Sequence, residues 1–110
     1  MVFDKNYYKR EFERLLKTER ETKFFIRKSG DTFKIKRFIK KGTDSFELAN
    51  YINDSEQSAK DYWIITICYY SMLYLAKAAI LKKGYETDDH LATQIALGHL
   101  LVPDEIEKED

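Results

Sequence analysis

The run from Tyr62 to Leu81, YWIITICYYSMLYLAKAAIL, constrains the fold more than any other part of the chain. It holds the only Trp, the only Cys and four of the eight Tyr, with one formal charge, Lys77. As a helix it would extend about 30 Å at about 1.5 Å per residue. Its apolar residues fall on several faces, and a helix apolar all round is either a membrane span or the central helix of a bundle. The uncharged part, Tyr62 to Ala76, is fifteen residues, short of the roughly 17–25 that a span needs. It contains four Tyr together with Thr66 and Ser71, and charged segments flank it. The expectation is therefore a buried helix, surrounded by amphipathic partners, with no membrane among them.

A chain of 110 residues is by default one domain, here 1–110, with one modest core. Hydrophobic residues at 44% and aromatics at 15% argue for a packed globule rather than disorder. Lys plus Arg equals Asp plus Glu at 19 each, so no whole-chain field points to nucleic acid or a membrane surface. The charge is unevenly placed: fourteen Lys and Arg stand against five acids between residues 5 and 41, and the last seven residues are mostly acidic. A basic binding face or a solvated helix face would give the same count. The single Cys68, in the most apolar stretch, excludes a disulfide framework within the chain and fits a reducing compartment. The start, MVFDKNYYKR, has no apolar core of a secretory signal, so a cytoplasmic location is expected.

Four helical patterns surround or include the central run. Asp4 is placed to cap a helix in which Tyr8, Phe12, Leu15 and Leu16 share a face. That helix has the option of running through Phe25 and Ile26 to Gly30, although Phe24-Phe25-Ile26 is also strand-like. The stretch 31–41 reads as a short helix closed by Gly42 or as an irregular arm, and a hairpin of 24–28 with 33–37 is the alternative. Thr43-Asp44-Ser45 reads as the start of the next helix, with Asp44 and Glu47 at capping-box spacing. Asp61 is placed to cap the central helix, and Lys82-Lys83-Gly84 to end it. Glu86 to Asp89 supply caps for a last helix, in which Gly98 marks a close helix crossing. The fold class is all-α: an up-and-down antiparallel bundle of the four-helix type, with a short helix or arm at 31–41.

Tyr70, Tyr74 and Lys77 are spaced at four and three, so they share a helix face. Stacking surface beside a cation is what a nucleobase or single-stranded nucleic acid requires. Tyrosines are equally suited to a subunit interface, and Lys77 could simply extend its ammonium to the helix surface. His90, after two carboxylates at a helix start, is either a pocket residue or a locally bonded helix-terminal one. His99 reads as core or interface. The two His are nine apart, on opposed sides of a helix, and Asp88 and Asp89 do not complete a ligand set with them. No metal and no cofactor is expected, and there is no phosphate loop, nucleophile elbow or CxxC.

The run YYSMLYLAKAAILKKGYETDDH, Tyr69 to His90, resembles the HEPN domains, especially small prokaryotic ones of unassigned function. The shared pattern is the paired Tyr69-Tyr70, Ser71-Met72, Tyr74, the Ala-rich turn Ala76-Lys77-Ala78, then Ile80-Leu81, Gly84 and His90. Upstream, FIKKGTDSFELANYINDSEQSAKDYW is similar to the lead-in and helix that precede the paired tyrosines, so the likeness spans about residues 38–102. The resemblance implies an all-α bundle, usually a homodimer. Family members include metal-independent ribonucleases of toxin–antitoxin and defence systems, partners of minimal nucleotidyltransferases, and non-catalytic RNA- or nucleotide-binding modules. The nuclease members carry an Arg four to six residues before a His; here no Arg follows Arg37, so neither His90 nor His99 completes that motif.

These observations together imply a non-catalytic HEPN-like interaction module, dimeric, binding RNA or a nucleotide or pairing with a minimal nucleotidyltransferase. Tyr70, Tyr74, Lys77 and His90 are its candidate ligand or dimer cleft. An unconventional metal-independent ribonuclease and a purely structural assembly bundle are the alternatives.

Overall fold

The computed structural model describes residues 3–17 and 25–102, arranged as four helices and a two-stranded ribbon. In chain order these are α1 (Lys5–Lys17), β1 (Ile26–Lys28), α2 (Thr32–Asn53), α3 (Lys60–Lys82), β2 (Tyr85–Thr87) and α4 (His90–Leu100). The all-α bundle expected from the sequence is the architecture found.

Helix α1 begins as its sequence dictates. The Asp4 carboxylate accepts from the Tyr7 amide at 3.0 Å, satisfying one of the first-turn donors that a helix leaves unpaired. Phe12 and Leu15 are buried on its inner face. The helix does not reach Phe25 and Ile26: Ile26 lies in β1 and is fully buried. The residues between, 18–24, fall outside the described part.

Strand β1 pairs antiparallel with β2, setting Ile26 against Thr87, Arg27 against Glu86 and Lys28 against Tyr85. A hairpin of 24–28 with 33–37 is therefore corrected; the partner strand lies beyond two long helices. The Glu86 carboxylate fastens the ribbon to α2. It accepts from Arg27 across the strands at 3.2 Å and from Lys34 of α2 at 2.8 Å. Burial pushes this carboxyl upward, but hydrogen bonds from Lys34 and Arg27 and their positive charge outweigh it, so its pKa is lowered.

Helix α2 is continuous from Thr32 to Asn53, which corrects both an arm ending at Gly42 and a new helix starting at Thr43. Asp31 is the true cap, accepting from the amides of Phe33 and Lys34. The residues read as a second start are used within the helix. Thr43 Oγ1 donates back to the Ile39 and Lys40 carbonyls, and Asp44 pairs with Lys40 at 2.9 Å. Gly42 is buried against α3: a Cβ there would lie 2.7 Å from Leu75 Cγ and 3.1 Å from the Ser71 carbonyl oxygen. Ser71 Oγ donates to the Gly42 carbonyl at 2.7 Å across the same contact. The glycine is a close-approach residue of a helix pair.

Residues 54–59 turn the chain back, and Lys60 Nζ donates to the Asn53 and Ser55 carbonyls at the exposed end of α2. Helix α3 starts at Lys60 without a side-chain cap, and Asp61 sits in its first turn. It ends as expected, with Lys82 in the last turn and Gly84 at φ +92°, a conformation that glycine adopts without penalty.

The core lies at one end of the molecule. Phe12 and Leu15 of α1, Ile26, Ile80 of α3, and Ala92, Ile95 and Ala96 of α4 pack together. Asp89 caps α4 through the Ala92 amide at 2.7 Å. Thr87 and Thr93 hydroxyls, 2.8 Å apart and buried, tie β2 to α4. Gly98 does mark the close crossing expected of it, since a Cβ would meet the Tyr8 ring at 2.5 Å. His99 tilts against Phe12 with ring centroids 4.7 Å apart.

Beyond that core the α2–α3 hairpin projects. The radius of gyration is 15.9 Å, against about 13 Å for a compact domain of this length. Helix α3 is consequently not the buried helix that its composition implies. It is long and apolar enough to cross a membrane by length and composition, yet only 22% of its most apolar window is buried. Ser71, Ala78, Ile80 and Leu81 are its buried residues, and Tyr62, Trp63, Ile65 and Met72 are exposed. Its N-terminal half has α2 on one side and no other described helix.

Candidate functional site

The seam between α2, α3 and the start of α4 carries a connected series of rings. Phe38 of α2 stacks on Tyr74 of α3 with centroids 6.1 Å apart and planes 19° from parallel. Tyr74 is followed by Tyr70 at 6.3 Å, and Tyr70 by the edge of His90 at 6.4 Å. Tyr69 stands beside Tyr70 at 5.6 Å, and its hydroxyl is 2.9 Å from His90 Nδ1. Two ammonium groups border the series: Lys41 Nζ is 5.5 Å from the Tyr74 ring centre, and Lys77 Nζ is 5.7 Å from that of Phe38.

Each member is positioned by the elements beneath it. Tyr70, Tyr74 and Lys77 occupy successive turns of α3, which is held against α2 by the Gly42–Ser71 contact. Phe38 and Lys41 are one turn apart on α2 and precede that contact. Lys34, seven residues before Lys41, is taken by Glu86, which fixes the α2 end of the ledge to the ribbon. His90 opens α4 directly after the Asp89 cap, and its ring is turned onto Tyr69.

Of the four residues singled out in the sequence, Tyr70, Tyr74 and His90 lie in one ring series. Lys77 borders it through Phe38. Phe38, Lys41 and Tyr69 were missed. Phe38 and Lys41 fall in or next to the stretch whose conformation the sequence leaves open. Their three-residue spacing becomes a signal only once 31–41 is helical and paired with α3. Tyr69 was visible as half of a tyrosine pair, but helical spacing points it about 100° away from Tyr70; His90 bridges that difference.

Tyr69 and Tyr70 are part-exposed, and Lys41 and His90 are exposed, so the ledge is open to a ligand. It offers flat π surfaces, phenolic and imidazole hydrogen-bonding groups, and two cations. Among the described residues no group of three or more His, Cys, Asp or Glu is placed to hold a metal ion. A separate cleft of about 300 Å³ lies between the start of α1 and the end of α4, with Lys5, Lys9 and His99 in its lining. It shares none of its lining residues with the ledge.

A scan against family models and searches of curated proteins and solved structures find no match to this chain.

Proposed function

We propose that the chain is a non-catalytic HEPN-like interaction module that holds RNA or a nucleotide on the Phe38–Tyr74–Tyr70–His90 ledge. The observation that carries this reading is the ring series bordered by Lys41 and Lys77. Bases stack on aromatic side chains with about 1–3 kcal/mol each, without regard to sequence. Ammonium groups beside the rings supply the salt-dependent attraction to phosphate that such ligands need. Pairing with a minimal nucleotidyltransferase in a toxin–antitoxin or defence-type system belongs to the same reading, and a neighbouring gene for such an enzyme would support it.

Titration of fluorescent single-stranded RNA at low salt tests the ledge. Tyr74→Ala is expected to weaken binding about tenfold or more, the loss of one stacked base. Lys41→Ala and Lys77→Ala are expected to lower the slope of log affinity against log salt by about 0.7 each. No binding of RNA or of mononucleotides by the parent protein at 100-micromolar order would overturn the proposal. The ribonuclease alternative has less support, because Nδ1 of His90 already faces the Tyr69 hydroxyl and no Arg follows Arg37. Cleavage of RNA in EDTA by the parent protein, lost in His90→Ala, would reverse that preference.

A further inference from the structure

The cleft between the start of α1 and the end of α4 differs in chemistry from the apolar grooves beside α3. Helix α1 contributes Lys5, Asn6 and Lys9 to its lining, and α4 contributes His99. Among the described residues, no carboxylate lines it. Lys5 and Lys9 are one turn apart, so their side chains leave the same face of α1. His99 comes beside that face because Gly98, with no side chain, lets α4 close on the Tyr8 ring, which a Cβ would meet at 2.5 Å. Contact with Phe12, at 4.7 Å between ring centroids, holds the imidazole in place.

The fold itself makes no use of these donors. Among the described residues, no carboxylate pairs with Lys5 or Lys9 and no hydrogen bond engages a ring nitrogen of His99, whereas Lys34, Lys40 and Lys60 are all bonded. Two like charges one turn apart repel each other, and cations at a helix start oppose its dipole. Neither lysine is therefore placed for the stability of α1, and an anion held between them offsets both penalties. The cleft volume, about 300 Å³, stands at the small end of ligand sites. That size selects a small molecule over a nucleic-acid strand. Phe3, stacked on Tyr8 at 4.7 Å, and Val102 add apolar wall beside the donors.

We propose that this cleft binds a small organic oxyanion, a phosphate monoester or a carboxylate with a compact apolar body. Lys5 and Lys9 hold the oxyanion by charge-assisted hydrogen bonds. The Asn6 amide and a ring nitrogen of His99 donate beside them, and Phe3 and Val102 cover the apolar body. The site is separate from the ledge, and the inference stands whether or not the ledge binds RNA.

Titration of the isotope-labelled full chain with phenyl phosphate, and in parallel with benzoate, tests this by NMR at low salt. The expected result is saturable movement of the Asn6, Gly98 and His99 amides with a Kd of about 1 mM or tighter for at least one of the two. The tighter of them names the oxyanion. Lys5→Ala and Lys9→Ala, both at exposed positions, are each expected to weaken binding about fivefold or more. Lys9→Arg is expected to retain it, and Lys77→Ala, on the ledge, to leave it unchanged. No movement up to about 10 mM of either anion would overturn the inference. So would binding indifferent to both alanine variants, or equal binding of benzylammonium. Asp104 and Glu105 follow Val102 in the chain. If Asp104→Asn with Glu105→Gln tightens binding about tenfold, the chain's own carboxylates are the occupant and the inference fails.

Discussion

Gly42 shows how one residue carries two meanings. In the sequence it stands before Thr-Asp-Ser and reads as a helix stop. In the fold it lies inside a helix, where its missing side chain lets α2 approach the Ser71 backbone and Leu75. Gly42→Ala would gain about 1 kcal/mol of helix propensity. The new Cβ would overlap Leu75 and press on the Ser71 carbonyl, and overpacking of this kind costs about 1–3 kcal/mol. The Leu75 side chain can turn aside, but the carbonyl belongs to a helix and cannot. A net loss of about 1–2 kcal/mol in urea unfolding is expected, with no comparable loss for Gly30→Ala, where nothing lies within 4 Å of the added carbon. Equal stabilities of the two variants would show that α2 and α3 do not meet at Gly42. Tyr70, Tyr74 and Lys77 were legible because i, i+3 and i+4 spacing is a property of one helix. Phe38 was not, because its place depends on which helix faces it.

The β1–β2 ribbon makes the same point for elements. Three residues, IRK, have no periodicity to read, and their partner strand follows about sixty residues later. Beside the strand pairing and the burial of Ile26, the ribbon is fastened by one carboxylate, Glu86, whose side chain is 12% exposed and which two cations from two other elements engage. Because the folded-state pKa of Glu86 is lowered, the stabilisation is fully present above its unfolded value of about 4.3. It is lost as the pH falls through the folded value. Glu86→Gln is expected to be less stable than the parent at pH 7 by about 1 kcal/mol, a figure reduced because Arg27 and Lys34 are each more than a third exposed. The difference should shrink toward zero in the range from pH 4 down. Urea midpoints for both proteins at pH 7 and pH 3 would check this, and a gap that persists in acid would locate the stabilisation elsewhere. The helices, by contrast, were largely legible, since Asp4, Asp89 and Gly84 act within one turn of their own position.

For the whole molecule, the described residues leave most of α3 exposed, with 22% of its most apolar window buried. The amino-acid order alone establishes an all-helical chain, where α1 and α4 begin and α3 ends, and which three residues of α3 share the ledge. Each rests on interactions within about four residues, and those follow from local geometry. Whether 31–41 joins α2, where Glu86 finds its cations, and which faces of α3 stay open depend on contacts between distant segments. An apolar helix carries no mark of whether its own chain or another covers it, because the hydrophobic effect is non-directional. Among the described residues, only the packing of α2 against α3, and of α4 against one end of it, leaves the Met72 side chain exposed.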